Sequence, residues 1–256
     1  MTTTTNDTEP STTEPANTDQ TTTALITGAN KGLGLETARQ LGERGWTVWL
    51  GARDPELGRP AAEKLAAEGA DVRFVQLDVT NDASVTSAVA TVEAETGTLD
   101  VLVNNAGIAG TTALPADTAP EDFLGVYGVN LLGPVRVTKA FLPLLRRSAQ
   151  PRIVMVSSGL GSFAVTNDPD RLESTLHNLV YTSSKAALNM VASQYAKSLT
   201  GFQVTAVDPG YTATDLNHHQ GTQTVEEGAE PIVAAATLPP GAPTGEFRNS
   251  AGIVGW

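Results

Sequence analysis

The 256-residue chain is 40% hydrophobic and 17% charged, enough apolar material for one sizeable core. A formal charge of −12 argues against a general nucleic-acid binder, which gains its affinity by neutralising phosphates with cations. The absence of cysteine excludes disulfides and cysteine-ligated metal, and no apolar run approaches the ~20 residues of a membrane helix. A cytoplasmic protein with an acidic surface is expected, with neither nucleic acid nor membrane as its partner.

Residues 1–22 are Thr-rich, without hydrophobic periodicity and without the apolar centre of a signal peptide, and are expected to be a disordered tail. From residue 23, strands and helices alternate. "TALIT" (23–27) reads as a strand, 35–45 as a helix stopped by Gly45, and 46–53 as a second strand. A helix is expected over 58–69 with Pro60 in its first turn, then a strand over 71–79 and a helix over 82–97. A fourth strand spans 99–107, and a long helical region covers 119–147, with kinks or turns expected at Pro134 and Pro143. A strand at 152–158, a helix at 181–199, a strand at 202–210, a helix near 224–236 and a last strand near 245–249 complete the series. Short apolar strands separated by helices imply a parallel sheet covered on both faces: one doubly wound α/β domain over 23–256. Such sheets bind ligands at the carboxyl ends of their strands.

The first strand runs into "TGANKGLG", where Gly28, Gly32 and Gly34 precede a helix. Glycines there let backbone approach a pyrophosphate, and the helix N-terminus supplies amide donors. Asn30, Lys31 and Leu33 lie between these glycines and belong to the same expected nucleotide loop. The spacing is G-x-x-x-G-x-G rather than the commoner G-x-G-x-x-G. An acidic residue at the end of the second strand would bind a ribose 2′-hydroxyl; this chain has "GARD", with Ala52 at that position and Arg53 next. Arg53 and Lys31 together favour a 2′-phosphate, hence NADP(H). The alternative is that Arg53 is a surface residue and Asp54 the ribose partner.

Further motifs follow in order: "LDV" at 77–79, "NNAG" at 104–107, Asn130, "VSS" at 156–158, "YTSSK" at 181–185 and "DPGYTATD" at 208–215. Together with the glycine loop, this ordered set resembles the short-chain dehydrogenase/reductase family over residues 23–256. "LGARD", "LDVLVNNAGIA" and "VSSGLGS" resemble its bacterial, carbonyl-reductase-like members. The resemblance implies a Rossmann-type, seven-stranded sheet of order 3-2-1-4-5-6-7. It implies that Asp78 contacts adenine, with the Val79 amide beside it. Asn104 with Asn105, Ala106 and Gly107 would support the sheet and the cofactor. Pro209, Gly210 and Thr212 would lie near the nicotinamide. Asn130, Ser158, Tyr181 and Lys185 match the family's catalytic tetrad, with Ser157 the alternative to Ser158.

Tyr181 and Lys185, spaced i, i+4, share one helix face. A free tyrosine titrates near ~10, and a neighbouring ammonium is expected to lower that value. In ketone reduction Tyr181 would donate a proton to the carbonyl oxygen and Ser158 a hydrogen bond. Lys185 would also bind the ribose, and Asn130 would hold a water connecting Lys185 to solvent, as the resemblance implies. His177, His218 and His219 have no accompanying ligand set, so no metal is expected.

Residues 159–180, between Ser158 and Tyr181, form a connection longer than the shortest in the family and shorter than that of its monomeric carbonyl reductases, which leaves monomer and homo-oligomer both open. Residues 211–224 are expected to form a substrate lid. Phe163, Leu179, Tyr211 and Leu216 are candidate apolar walls for a small carbonyl or alcohol substrate. The expected activity is NADPH-dependent reduction of a ketone or aldehyde; the alternatives are alcohol oxidation, or cofactor binding by a non-catalytic sensor.

Overall fold

In β1 (Thr23–Thr27) every residue is buried, and its side chains alternate between two apolar layers. Leu25 belongs to one hydrophobic cluster, and Ala24 and Ile26 to the other. This is the burial that continuous apolar strands demand in a sheet covered on both faces. The computed structural model describes residues 21–256. The expected tail therefore lies, apart from Thr21 and Thr22, outside the described residues.

β1 is followed by α1 (Gly32–Gly42), β2 (Thr47–Ala52), α2 (Pro55–Ala67), β3 (Val72–Gln76), α3 (Asp82–Thr96) and β4 (Val101–Asn104). Then come α4 (Glu121–Tyr127), a π-helical turn (Gly128–Leu132), α5 (Gly133–Leu145), β5 (Arg152–Val156), the single turn α6 (Phe163–Thr166) and α7 (Leu179–Ser198). β6 (Gln203–Val207), α8 (Val225–Ala236), β7 (Glu246–Asn249) and β8 (Gly252–Ile253) follow. The eight strands form one sheet of order β3-β2-β1-β4-β5-β6-β7-β8, parallel except for β8. α3, α5 and α7 cover one face through Val92, Phe141 and Leu188, and α1, α2 and α8 the other through Leu41, Leu65 and Ile232. β1 pairs with both β2 and β4, so the winding reverses between β1 and β4 and opens a crevice at the carboxyl ends.

Several expected boundaries move. α1 begins at Gly32 rather than 35, because the glycine loop turns directly into the helix. α2 begins at Pro55, capped by the Asp54 carboxylate on the Glu56 amide at 2.9 Å, so Pro60 lies inside the helix and not in its first turn. The strands expected at 71–79, 99–107 and 202–210 stop earlier, where the chain leaves the ladder for the crevice. The region 119–147 breaks at the π-helical turn; Pro134 follows the break, in the first turn of α5, where its missing N–H costs little. The connection 159–180 contains α6, a short 3-10 turn at Leu172–Thr175 and the start of α7. β8, an antiparallel eighth strand, was not expected: two residues containing a glycine at φ +125° carry no alternation. No helix among the described residues is long and apolar enough to cross a membrane.

Candidate active site

The glycine loop has the form a nucleotide requires. Gly28 and Gly32 adopt φ of +63° and +56°, in the left-handed region that favours glycine. A Cβ on Gly28 would lie 2.9 Å from the Ala106 Cα, and one on Gly34 2.5 Å from the Asn105 Nδ2. Asn105 Nδ2 donates to the carbonyls of Thr27 (2.9 Å) and Gly28 (3.2 Å), stitching the loop to the end of β4. Thr27 Oγ1 accepts from the amides of Asn105 and Ala106, both at 3.0 Å, a role that sequence reasoning missed. No side chain caps α1 at Lys31, which leaves its first amides as donors for an anion. Close backbone approach and uncapped donors together fit a dinucleotide.

At the end of β2, Ala52 is buried and Arg53 exposed, with no ion pair to Arg53 among the described residues. Asp54 caps α2, so its carboxylate already has a structural partner. Lys31 does not stand free beside Arg53: its Nζ lies 2.5 Å from Asp215 Oδ2. Asp78 Oδ1 accepts from the amide (2.9 Å) and hydroxyl (2.7 Å) of Thr80. Burial works against its ionisation, but these donors, aided by Arg53 and Arg136, hold its carboxyl below the usual range. Val79 is buried, and its carbonyl accepts from Arg136 Nη1 at 2.8 Å.

Three of the four expected catalytic side chains converge where β5 meets α7, and the fourth braces them. Ser158 leaves β5 half-exposed, whereas Ser157 is buried with its Oγ 3.4 Å from the Lys185 carbonyl, so the geometry favours Ser158. Lys185 is buried; its Nζ donates to the Val156 carbonyl at 2.7 Å and sits 5.7 Å from the Tyr181 ring centroid. Burial pushes the Tyr181 phenol up to about 12; the Ser158 hydroxyl opposes this and the Asp208 carboxylate adds to it. Burial takes the Lys185 ammonium down to about 8. In the free protein burial thus raises the Tyr181 phenol, opposite to the lowering expected from the ammonium, which here is engaged with the Val156 carbonyl. Asn130 is fully buried in the π-helical turn, bonded to both backbone groups of Ile108 and to Ser184 Oγ. A Cβ on Gly107 would lie 3.6 Å from both Asn130 Oδ1 and Lys185 Nζ, so these groups share one wall.

Asp208, at the end of β6, was missed as a neighbour of this site. It is buried and accepts from the Gly210 amide at 3.0 Å. Burial holds its carboxyl above the usual range against the amides of Gly210 and Gly159. A Cβ on Gly159 would lie 3.1 Å from Asp208 Oδ2 and 3.2 Å from Glu173 Oε1, so two carboxylates converge there.

The lid is tied at both ends. Thr212 and Gln223 form a parallel bridge, with the Ala213 amide donating to the Gln223 carbonyl at 2.9 Å. Pro209 and Gly210 precede it, and the Thr212 Oγ1 donates to the Pro209 carbonyl at 3.2 Å. A Cβ on Gly32 would meet Thr214 Cγ2 at 3.7 Å, so the lid rests on the glycine loop. Tyr211 and Leu216 are exposed on the lid. Phe163 and Leu179 lie elsewhere: with Thr182, Ser183 and Ala186 they line a groove of about 390 Å³. Those three α7 positions are rotated roughly 100–200° from Tyr181. His218 and His219 have left-handed backbone (φ 54° and 59°) after the turn at Asp215–Asn217. No group of three metal-ligating side chains occurs among the described residues.

A crevice of this construction, with a tyrosine and a lysine one helical turn apart beside a glycine loop, defines a nucleotide-dependent oxidoreductase. The profile of the family described as short chain dehydrogenase matches residues 22–224. The chain belongs to the short-chain dehydrogenase/reductase family, whose members act on alcohol and carbonyl groups. It is 35% identical to (−)-isopiperitenone reductase of Mentha piperita over 88% of this chain and 95% of that enzyme. It is 36% identical to (+)-neomenthol dehydrogenase of Arabidopsis thaliana over 84% of this chain and 91% of that one. Those alignments run to 297 and 270 residues, longer than this chain, so both enzymes carry insertions that it lacks. NADPH-bound carbonyl reductase from chicken fatty liver superposes with a TM-score of 0.81 at 30% identity, covering 93% of this chain and all of that one.

Proposed function

We propose that this protein is an NADPH-dependent carbonyl reductase that converts a ketone or aldehyde to an alcohol, with Tyr181 as general acid. The observation that carries this reading is the cluster of Ser158, Tyr181 and Lys185 at the mouth of the crevice, beside the glycine loop. The Tyr181 phenol carries its proton in the neutral range, and a cationic Lys185 beside it would lower its pKa toward that range and ease the transfer.

The cofactor is NADP(H). Gly28, Gly32, Leu33 and Gly34 would receive its pyrophosphate with Asn30, and Lys31 and Arg53 its 2′-phosphate. Asp78 and Val79 would meet its adenine, and Pro209, Gly210 and Thr212 its nicotinamide end. Asn105, Ala106 and Gly107 would support it from below. When bound, the reduced nicotinamide supplies a hydride to the carbonyl carbon. Tyr181 donates a proton to the oxygen as negative charge grows there, and Ser158 donates a hydrogen bond to the same atom. Lys185, whose Nζ donates to the Val156 carbonyl at 2.7 Å, would bind the ribose hydroxyls and set its charge beside the phenol. Asn130 fixes the wall beside Lys185. Residues 23–256 act as one oxidoreductase domain, and 159–180 and 211–224 choose the substrate. The NADPH-bound carbonyl reductase among similar structures supports the cofactor, and the reductases among the relatives support the direction.

The test is purified protein with NADPH and a panel of aldehydes, cyclic ketones and β-keto esters. Turnover of at least one carbonyl class is expected, with NADPH preferred to NADH. Tyr181→Phe turning over at the parent rate would overturn the assignment of the acid.

A further inference from the structure

Lys31 is the glycine-loop cation assigned to the 2′-phosphate, yet it is already occupied. Its Nζ is paired with Asp215 Oδ2 at 2.5 Å, and Asp215 belongs to the lid. The second carboxylate oxygen, Oδ1, lies 2.8 Å from His219 Nε2. Asn217 braces the turn that presents this carboxylate: its Oδ1 accepts from the Thr214 amide at 3.1 Å, and its Nδ2 donates to the Thr212 carbonyl at 2.9 Å. The two partners are 184 residues apart in the chain, so the contact links the cofactor loop to the segment expected to cover the substrate.

We propose that Asp215 competes with the cofactor's 2′-phosphate for Lys31, so that the lid is pinned to the glycine loop in the free protein and unpinned by NADPH but not by NADH. The proposal rests on the NADP(H) reading above. Both side chains of the pair are more than half exposed, so the pair is weak and exchangeable. A phosphate monoester carries more charge than a carboxylate and finds a second cation in Arg53, so it displaces Asp215. A carboxylate left beside that phosphate would be repelled. The 2′-hydroxyl of NADH has no charge with which to displace it. The 2′-phosphate thereby acts on the lid through Lys31, without touching the substrate.

The test measures NADPH and NADH dissociation constants by calorimetry at low ionic strength for the parent, Asp215→Asn, Lys31→Ala and the double variant. Asp215→Asn is expected to tighten NADPH about two- to fivefold and to leave NADH unchanged. In the Lys31→Ala background the same substitution should have no effect. Unchanged NADPH affinity in Asp215→Asn, or equal tightening of both cofactors, overturns the competition. Lys31→Ala binding NADPH as the parent does also overturns it, while the parent's own NADPH-to-NADH ratio judges the cofactor reading separately. Hydrogen exchange at the Ala213 and Gln223 amides provides a second readout. Faster lid exchange with NADPH than with NADH supports the proposal, and equal exchange with both overturns it.

Discussion

Asn130 grips Ile108 from both sides: its Oδ1 accepts from the Ile108 amide and its Nδ2 donates to the Ile108 carbonyl, each at 2.9 Å. Nδ2 also reaches Ser184 Oγ at 3.1 Å, so one buried amide joins the loop after β4 to α7. Asn130→Ala would orphan these groups and is expected to lower unfolding free energy by about 2–4 kcal/mol. Asn130→Asp should be no better, because an oxygen would replace the donor facing the Ile108 carbonyl. Urea unfolding of both variants checks this.

Tyr181→Phe keeps the ring and its packing but removes the proton. The turnover number should fall by about 10²-fold or more, with NADPH affinity nearly unchanged. Steady-state rates and a cofactor-fluorescence titration separate the two effects.

Lys185 sits at about 8 in the fold against 10.5 for a free lysine. Between those values the unfolded chain holds the proton and the folded one does not, so the penalty of burying this charge is fully present below pH 8 and relieved as pH rises toward 10.5. Tyr181 acts in the opposite direction: its phenol stays protonated to about 12 in the fold but ionises near 10.0 when unfolded, so its effect erodes stability as pH rises across that window. Lys185→Met should therefore lose the first gain, and Tyr181→Phe should lose the second decline. Denaturant titrations from pH 7 upward, compared with the parent, report each.

Removing the Asp208 charge should lower the Tyr181 pKa, since that carboxylate disfavours phenolate. In Asp208→Asn the ultraviolet phenolate signal that is absent from Tyr181→Phe is expected to appear at lower pH. The same signal at an unchanged pH would contradict this.

Gly34 and Gly125 are both helical, yet alanine should act on them with opposite sign. A Cβ on Gly34 would lie 2.8 Å from the Gly28 carbonyl oxygen and 2.9 Å from the Ala29 Cα, backbone that cannot yield without opening the loop. Gly34→Ala should cost about 1–3 kcal/mol. Nothing lies within 4 Å of a Cβ on Gly125, so Gly125→Ala should gain about 0.5–1 kcal/mol from helix propensity. Thermal melts of the pair decide.

The parallel sheet and its two helical layers were legible because apolar runs such as "LDVLVNN" leave few alternatives once both faces must be buried, whereas the strand order came from the family resemblance. The glycine loop and the Tyr181–Lys185 pair were legible because their spacing is local. What escaped was set by contacts distant in sequence. Nothing near Thr27 announces that its hydroxyl receives two amides from the end of β4. Nothing near Lys31 announces Asp215, and Asp208 becomes a neighbour of Tyr181 only when β6 docks beside β5. The sign of the Tyr181 shift also escaped, since an i, i+4 ammonium is visible in sequence and the burial opposing it is not.

The π-helical turn Gly128–Leu132 gives the segment one residue more than an α-helix of the same span would hold. Deleting one residue there would regularise the helix without opening a loop, and the flanking helices would keep their faces while the bulge itself was lost. Asn130 would then swing off the Ile108 backbone while the composition hardly changed. Alignment gaps in this stretch therefore report the presence of the bulge rather than loop length, and a homologue one residue shorter here would need a different clamp.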